Sequence, residues 1–335
     1  MGIDLPLIWL LIIGFGVMMY VIADGFDLGI GILFPFVKDR SHRDAMVNSV
    51  APVWDGNETW LVLGGAALMA AFPKAYAILL SAFYVPAILM LLGLIWRGVS
   101  FEFRFKADEA HKPFWDKAFM LGSFVAAFFQ GAILGAFIDG VEIVGGRSAA
   151  GIMDWLTPFS VFTGIGVVIA YALLGSTWLV LKTEGDLQRQ MIRIAKPTTF
   201  ALLVAIAIAS IWTPLANQAI SDRWFSLPNI WFFAPVPVLV AAATYYIQRT
   251  LNDDPHAGPF VWSLVLIFLG YTGFVISIWP SIVPPSLSIW DAAAPSESLG
   301  FTLVGALLII PMILGYSAWA YYVFRGKVKV GEGYH

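Results

Sequence analysis

Long apolar runs separated by short polar stretches give this 335-residue chain its character. Nine runs stand out, over residues 6–34, 53–71, 75–97, 115–137, 158–181, 195–215, 229–249, 259–281 and 300–324. Most are close to the roughly 20 residues an α-helix needs to cross about 30 Å of hydrocarbon. The runs are continuous and do not alternate apolar with polar, so they predict helices and not the strands of a barrel. A helix also satisfies its own backbone groups in lipid. The pattern predicts an all-α polytopic membrane protein with nine transmembrane helices. The connections leave no room for a separate soluble domain. The first run is not read as a cleaved signal peptide. Met1-Gly2-Ile3-Asp4 supplies no basic flank, and the run is too long for the apolar part of such a signal.

Charge placement fixes an orientation. With the N-terminus outside and nine crossings, the C-terminus lies inside. Of the 19 basic residues, only Lys74, Arg147 and Arg223 then fall in outer loops. That asymmetry is what the positive-inside rule expects. Tryptophans mark both interfaces, Trp9, Trp155, Trp212, Trp231 and Trp279 outside, and Trp54, Trp60, Trp96, Trp178, Trp262 and Trp319 inside. Composition narrows the class further. The chain is 59% hydrophobic and 12% charged, against about 25% charged in soluble domains. A soluble enzyme and a disordered chain are excluded. A net charge of −3 gives no basic field for nucleic acid. The absence of cysteine removes disulfides, iron–sulfur clusters, thiolate haem ligation and cysteine nucleophiles.

Polar groups inside the runs are the candidates for function. Asp24-Gly25-Phe26-Asp27-Leu28-Gly29-Ile30-Gly31 lies within the first run. Aspartates at i and i+3 share a helix face, and a charge at the bilayer centre costs about 2.5–3.5 kcal/mol on insertion scales. Both acids are therefore expected to face away from lipid. Gly25 and Gly29 let another helix approach closely. Two readings of the pair stay open: a proton relay or ion site, and a structural pair neutralised by a basic partner such as Arg97.

Trp54-Asp55-Gly56-Asn57-Glu58-Thr59-Trp60 opens the second helix on the inner side. Asp55 is either a helix-start residue or, with Asn57 and Glu58, an acceptor of protons arriving from inside. Arg97 closes the third run before Glu102-Phe103-Arg104-Phe105-Lys106. It is expected to anchor the inner interface by snorkelling; a salt bridge to Asp24, Asp27 or Asp55 is the alternative. Gln130, mid-run, is expected to hydrogen-bond between helices. Residues 286–291, around Trp290, predict a packed loop cap. His42, His111, His256 and His335 all fall outside the runs, so no haem is expected to be ligated here through histidine. The ten methionines are read as packing. No phosphate-binding loop, dinucleotide fingerprint or nucleophile–base pair is legible, so catalysis by this chain alone is not expected.

These motifs carry a resemblance. Asp24 to Gly31, Asn48 to Trp60, Phe72-Pro73 with Tyr76, Phe101 to Arg104 and Ser288 to Ala292 together resemble subunit II of the cytochrome bd-type quinol oxidases. The short chain suits the cyanide-insensitive branch of that family. The resemblance implies a heterodimer in the bacterial inner (cytoplasmic) membrane. Each subunit would form two four-helix bundles plus a peripheral ninth helix. It implies that subunit I carries the quinol site, two haems b and a haem d where dioxygen becomes water. Subunit II would support assembly and haem retention and help to form the cytoplasmic proton path. A structural quinone in this subunit and a small third subunit are further family associations, with membrane quinol and lipids as the remaining partners. By motif, Asp55 corresponds to the family's proton-path aspartate, with Glu58 in support. Asp24 and Asp27 match the acidic motif of the first helix, and Trp54, Asn57, Trp60 and Arg97 accompany them. A competing reading is an ion-coupled secondary transporter using Asp24 and Asp27. The lack of paired broken helices and the odd number of runs weigh against it.

Overall fold

The computed structural model describes residues 3–329 and 331, so His335 lies outside the described residues. Helices dominate: α1 (Leu5–Leu33), α2 (Arg40–Asn48), α3 (Trp54–Ala71), α4 (Pro73–Lys106), α5 (Lys112–Asp139), α6 (Pro158–Lys182), α7 (Gly185–Ala216), α8 (Gln218–Phe225), α9 (Asn229–Phe233), α10 (Pro235–Asp253), α11 (Gly258–Ile278), α12 (Ile289–Ala292) and α13 (Ser296–Val323). Several open with proline in the first turn, among them α4, α5, α6, α10 and α11. A missing N–H costs nothing there. Gly140 closes α5 at φ 97°, a backbone state that favours glycine. Two antiparallel hairpins complete the chain: β1 (Ile143–Val144) with β2 (Arg147–Ser148), and β3 (Ser281–Val283) with β4 (Leu287–Ser288).

Among the described residues, eight helical spans are long and apolar enough to cross a membrane: Leu5–Phe36, Pro73–Lys106, Lys112–Asp139, Pro158–Lys182, Gly185–Ala216, Asn229–Asp253, Gly258–Ile278 and Ser296–Val323. The chain is a multi-pass helical membrane protein. Helix α3 fills the remaining apolar run but is not among the eight, because Asp55, Asn57 and Glu58 occupy its first turns.

Helix ends depart from the apolar runs in a consistent way. α4 continues nine residues past Arg97, and α7 begins at Gly185 rather than 195. Backbone hydrogen bonding does not stop where lipophilicity stops. In α7 the extension is amphipathic, with Leu187, Met191 and Ala195 buried at i, i+4 and i+8 while the basic residues turn outward. The run over 229–249 is broken between α9 and α10, where Pro235 begins a new helix. Within α4, Phe83 leaves helical geometry at φ −116°, ψ 19°, three residues before Pro86, a kink of proline origin.

Helix α1 is central. It packs against α3, α5 and α6 and also touches α11 and α13. α4 lies along α5, α5 along α6, α6 along α7, and α10 along both α7 and α11. α13 rests on α3 and α1 with only Leu299 buried. Lys182, at the end of α6, ties down the chain after α13 by donating to the carbonyls of Phe324 (2.5 Å) and Gly326 (2.7 Å).

α1 and α6 cross closely. A Cβ at Gly29 would lie 1.9 Å from the Tyr171 carbonyl oxygen, and one at Gly175 would lie 2.5 Å from the Gly29 carbonyl carbon. At Gly25 it would meet the Tyr171 ring at 2.8 Å. These small residues do what their spacing predicts. α4 and α5 meet the same way, since a Cβ at Gly122 would sit 2.7 Å from the Arg97 backbone nitrogen.

Candidate functional site: a buried guanidinium among three carboxyls

The acidic motif of α1, the polar start of α3 and Arg97 of α4 converge on one point. Tyr20, Asp24 and Asp27 stand at i, i+4 and i+7 on one face of α1. Arg97 is fully buried, as are Asp24 and Asp27. Its Nη2 donates to Asp24 Oδ1 at 2.9 Å and lies 3.6 Å from Asp27 Oδ2. Its Nη1 donates to Glu58 Oε1 at 2.5 Å. The Glu58 side chain keeps 28% of its surface exposed, so the cluster reaches outward through this one acid.

Neighbours complete the cluster. Asn57 donates from Nδ2 to Asp27 Oδ2 at 2.7 Å, and its Oδ1 accepts from the Tyr321 hydroxyl at 2.7 Å. Tyr321 is thus the residue by which the peripheral α13 joins the site. Trp54 stacks on Phe101 with centroids 5.1 Å apart and planes 5° from parallel. The Arg97 guanidinium carbon lies 5.5 Å and 5.4 Å from those two rings, within cation–π range.

Arg97 is therefore not a snorkelling anchor. Because α4 runs on to Lys106, Arg97 sits well inside the helix and its head turns into the protein. The salt-bridge alternative is the observed one, with Asp24 and Glu58 as partners and Asp27 nearby. Asp55 does not join the cluster: it is exposed in the first turn of α3, one helical turn before Glu58. Trp60 is buried beside Tyr20 and Ala23 and meets Phe15 edge-on at 5.7 Å. Gln130 bonds between helices, as expected mid-run, donating to Tyr20 and accepting from Tyr171. Ser288, Trp290 and Asp291 form the expected loop cap, with Ser288 Oγ on Asp291 and Trp290 Nε1 on Asp4.

A second ion network, not foreseen from sequence, closes the end of the bundle at which α4 finishes. Asp116 of α5 accepts from Arg104 Nε at 2.6 Å and Arg43 Nη1 at 2.8 Å. Arg104 also pairs with Asp44 at 2.7 Å, and Arg43 donates to the carbonyls of Val37 and Phe34. Two cations balance two acids here, which marks a structural clamp. Asp39 caps α2 nearby. The Ser41 hydroxyl and backbone N–H, with the His42 N–H, hold its carboxyl below the usual range. Among the described residues, no group of three or more His, Cys, Asp or Glu side chains is arranged to hold a metal ion.

An ionic cluster enclosed among long apolar helices defines an integral membrane protein with charged residues held inside the bundle. Residues 5–324 match the family model for cytochrome bd terminal oxidase subunit II, and the chain belongs to that family. It is 29% identical over 363 aligned residues to cytochrome bd-I ubiquinol oxidase subunit 2 of Escherichia coli (strain K12), covering 97% of this chain and 95% of that one. It is 27% identical over 334 residues to cytochrome bd ubiquinol oxidase subunit 2 of Bacillus subtilis (strain 168), covering 97% of each. Its fold matches the bd oxidase structure from Geobacillus thermodenitrificans with a TM-score of 0.78 at 17% identity, over 96% of this chain and 99% of that chain. The chain is thus homologous to a subunit of an oxidoreductase complex, and the transporter reading is not favoured.

Proposed function

We propose that this chain is the haem-free subunit of a bd-type quinol oxidase in the bacterial inner membrane. It pairs with a haem-bearing subunit I and guides protons from the cytoplasmic side toward the site of dioxygen reduction. The haems b and d belong to that partner, which this subunit helps to assemble and to keep loaded with haem. In this reading the chain crosses nine times, with the N-terminus outside and α13 peripheral to two four-helix bundles, so that the start of α3 faces the cytoplasm.

The observation that carries this reading is the ladder from exposed Asp55, through half-buried Glu58, to the enclosed Arg97, Asp24 and Asp27. Asp55 and Glu58 are i and i+3 on one helix and share a face. One guanidinium among three carboxyls leaves negative charge in surplus. Unpaired charge is costly away from water, so a cluster of this composition takes up protons and exchanges them through its exposed member. Quinol oxidation releases protons outside while dioxygen reduction draws them from inside. A path on the inner side therefore contributes to the proton motive force without a pump.

The test is Asp55→Asn and Glu58→Gln in the assembled oxidase, reading quinol-driven oxygen consumption and proton uptake. Both variants are expected to lose about a hundredfold in turnover, the lower end of what positioned acid–base groups contribute, with the haem spectrum of the purified complex unchanged. Normal turnover and normal proton uptake in an intact complex would leave these acids a purely structural role.

A further inference from the structure

Helix α13 packs loosely along its length, with Leu299 near its start as its one buried residue. Its other end is fastened by the segment that follows. Lys182, the last residue of α6, donates from Nζ to the carbonyls of Phe324 at 2.5 Å and Gly326 at 2.7 Å. The Val328 N–H donates back to the Lys182 carbonyl at 2.8 Å. Lys327 pairs with Glu184 at 3.1 Å. Residues 324–328 thus form a strap over the connection between α6 and α7, and Lys182 grips it by side chain and backbone alike.

The lysine is only 5% exposed, and both carbonyls it meets belong to the backbone. Burying an ammonium is costly unless it is partnered. Its partner here is the negative end of a helix, since Phe324 is the C-cap of α13 and a cation is favoured there. Nζ also lies 5.4 Å from the centre of the Trp178 ring, within cation–π range. Trp178 stacks on Phe26 with centroids 4.3 Å apart. Both rings meet Tyr321 edge-on, at 6.2 Å and 6.5 Å, and Phe26 immediately precedes Asp27. The cation therefore bears on Tyr321 in two ways, through the chain three residues further on and through the Trp178 face.

Tyr321 in turn acts on Asn57, and the direction of that bond is fixed. Asn57 Nδ2 lies 3.3 Å from the Ala23 carbonyl and 2.7 Å from Asp27 Oδ2. A backbone carbonyl only accepts, so the amide turns its nitrogen to Ala23 and its oxygen to Tyr321. The phenol is then the donor, at 2.7 Å. Asp27 Oδ2 faces the Asn57 N–H, with Arg97 Nη2 at 3.6 Å.

We propose that Lys182 is a positioning residue: it pins the strap so that Tyr321 stays on Asn57, and the amide held in this way leaves Oδ1 as the oxygen at which Asp27 exchanges its proton. The last clause rests on the proton-path reading; the pinning of Tyr321 does not. A single hydrogen bond contributes little net stability, so the Tyr321–Asn57 contact depends on what holds the end of α13.

The experiment places a ring-fluorinated tyrosine at position 321 of the intact oxidase, where its one fluorine resonance reports the hydrogen bond of the phenol. Asn57→Ala removes the acceptor and marks the position of the released phenol. In Lys182→Met, which keeps most of the stem and removes the ammonium, the resonance is expected at that released position. In Lys182→Arg, which restores a cation with donors, it is expected back at the unaltered position. A resonance that stays put in Lys182→Met overturns the proposal, and so does a Lys182→Arg spectrum that matches Lys182→Met. Where Lys182→Met does not assemble, Lys182→Gln, with N–H donors and no charge, carries the same comparison, and an unmoved resonance again overturns the proposal. Turnover reads the last clause. Lys182→Met is expected to lose up to about a hundredfold in quinol-driven oxygen consumption, the cost of a misplacement of about 1 Å, with the haem spectrum unchanged. Adding Tyr321→Phe is expected to lose no more, because both act through one bond. Full turnover with a moved resonance overturns the link to Asp27. If Asp55→Asn and Glu58→Gln turn over normally while the resonance moves, the proton-path reading fails and the pinning of Tyr321 stands.

Discussion

A guanidinium with no exposed surface and carboxyls on several sides is the residue on which the cluster depends most. Removing one partner of a buried ion pair costs about 3–5 kcal/mol, because the other charge is left unpaired. Arg97→Gln leaves several acids without a cation, and the expected outcome is a subunit that fails to accumulate or a complex with sharply lower thermal stability. Adding Asp24→Asn removes a fully buried opposing charge and is expected to recover part of the loss, which a double-mutant comparison of melting temperatures measures. The acids were legible in the sequence because a carboxyl inside an apolar run is rare and cannot face lipid. Arg97 was misread for a reason that can be stated. The end of its apolar run looked like the end of its helix, where snorkelling is the ordinary outcome, whereas α4 continues to Lys106. Tyr171 and Tyr321 left no signal, since a tyrosine in an apolar run is ordinary. Only Tyr20, four residues before Asp24, could have been found by looking along the helix face. The coupling of Tyr321 to Asn57 depends on where α13 docks, and local sequence carries no trace of that.

The elements meet where side chains are absent, and this sets expectations at the scale of helix pairs. Gly29→Ala puts a methyl against the Tyr171 backbone oxygen. A backbone cannot turn aside as a side chain can, so α1 and α6 must separate. Overpacking of this kind costs about 1–3 kcal/mol, to be read as a lower melting temperature of the purified complex. Gly65→Ala, with no atom within 4 Å of the added Cβ, is the control and is expected to be silent. The second ion network gives a parallel expectation. Asp116→Ala removes the shared acceptor of Arg104 and Arg43. Hydrogen bonds to charged groups are worth about 1.5–3 kcal/mol, so faster proteolysis between α1 and α3 is expected. Neither the network nor α2 was legible. A nine-residue polar helix leaves no apolar run, and Asp116 finds Arg43 73 positions away along the chain.

The orientation of the whole molecule turns on α3, the one helix over an apolar run that apolar length does not select as a span. Its 18 residues reach about 27 Å at 1.5 Å per residue, slightly less than the roughly 30 Å of hydrocarbon. Its polar first turns lower its hydropathy without shortening it; there Asn57 is buried, Glu58 half-buried on Arg97 and Asp55 exposed. The basic residues supply the stronger argument. If α3 crosses, the segment holding Arg104, Lys106, Lys112 and Lys117 lies inside, as the positive-inside rule requires. If α3 does not cross, that segment lies outside. A chain without cysteine makes the decision clean, because each introduced thiol is the only one. His111→Cys lies in the exposed connection between α4 and α5, and Arg147→Cys in the hairpin after α5. With a membrane-impermeant thiol reagent, position 147 is expected to react in intact spheroplasts and position 111 only in inverted vesicles. The reverse pattern would take α3 out of the membrane and place Asp55 and Glu58 on a helix that never spans it. The ladder of acids would then have no membrane to cross, and the proton path proposed for this subunit would fall with it.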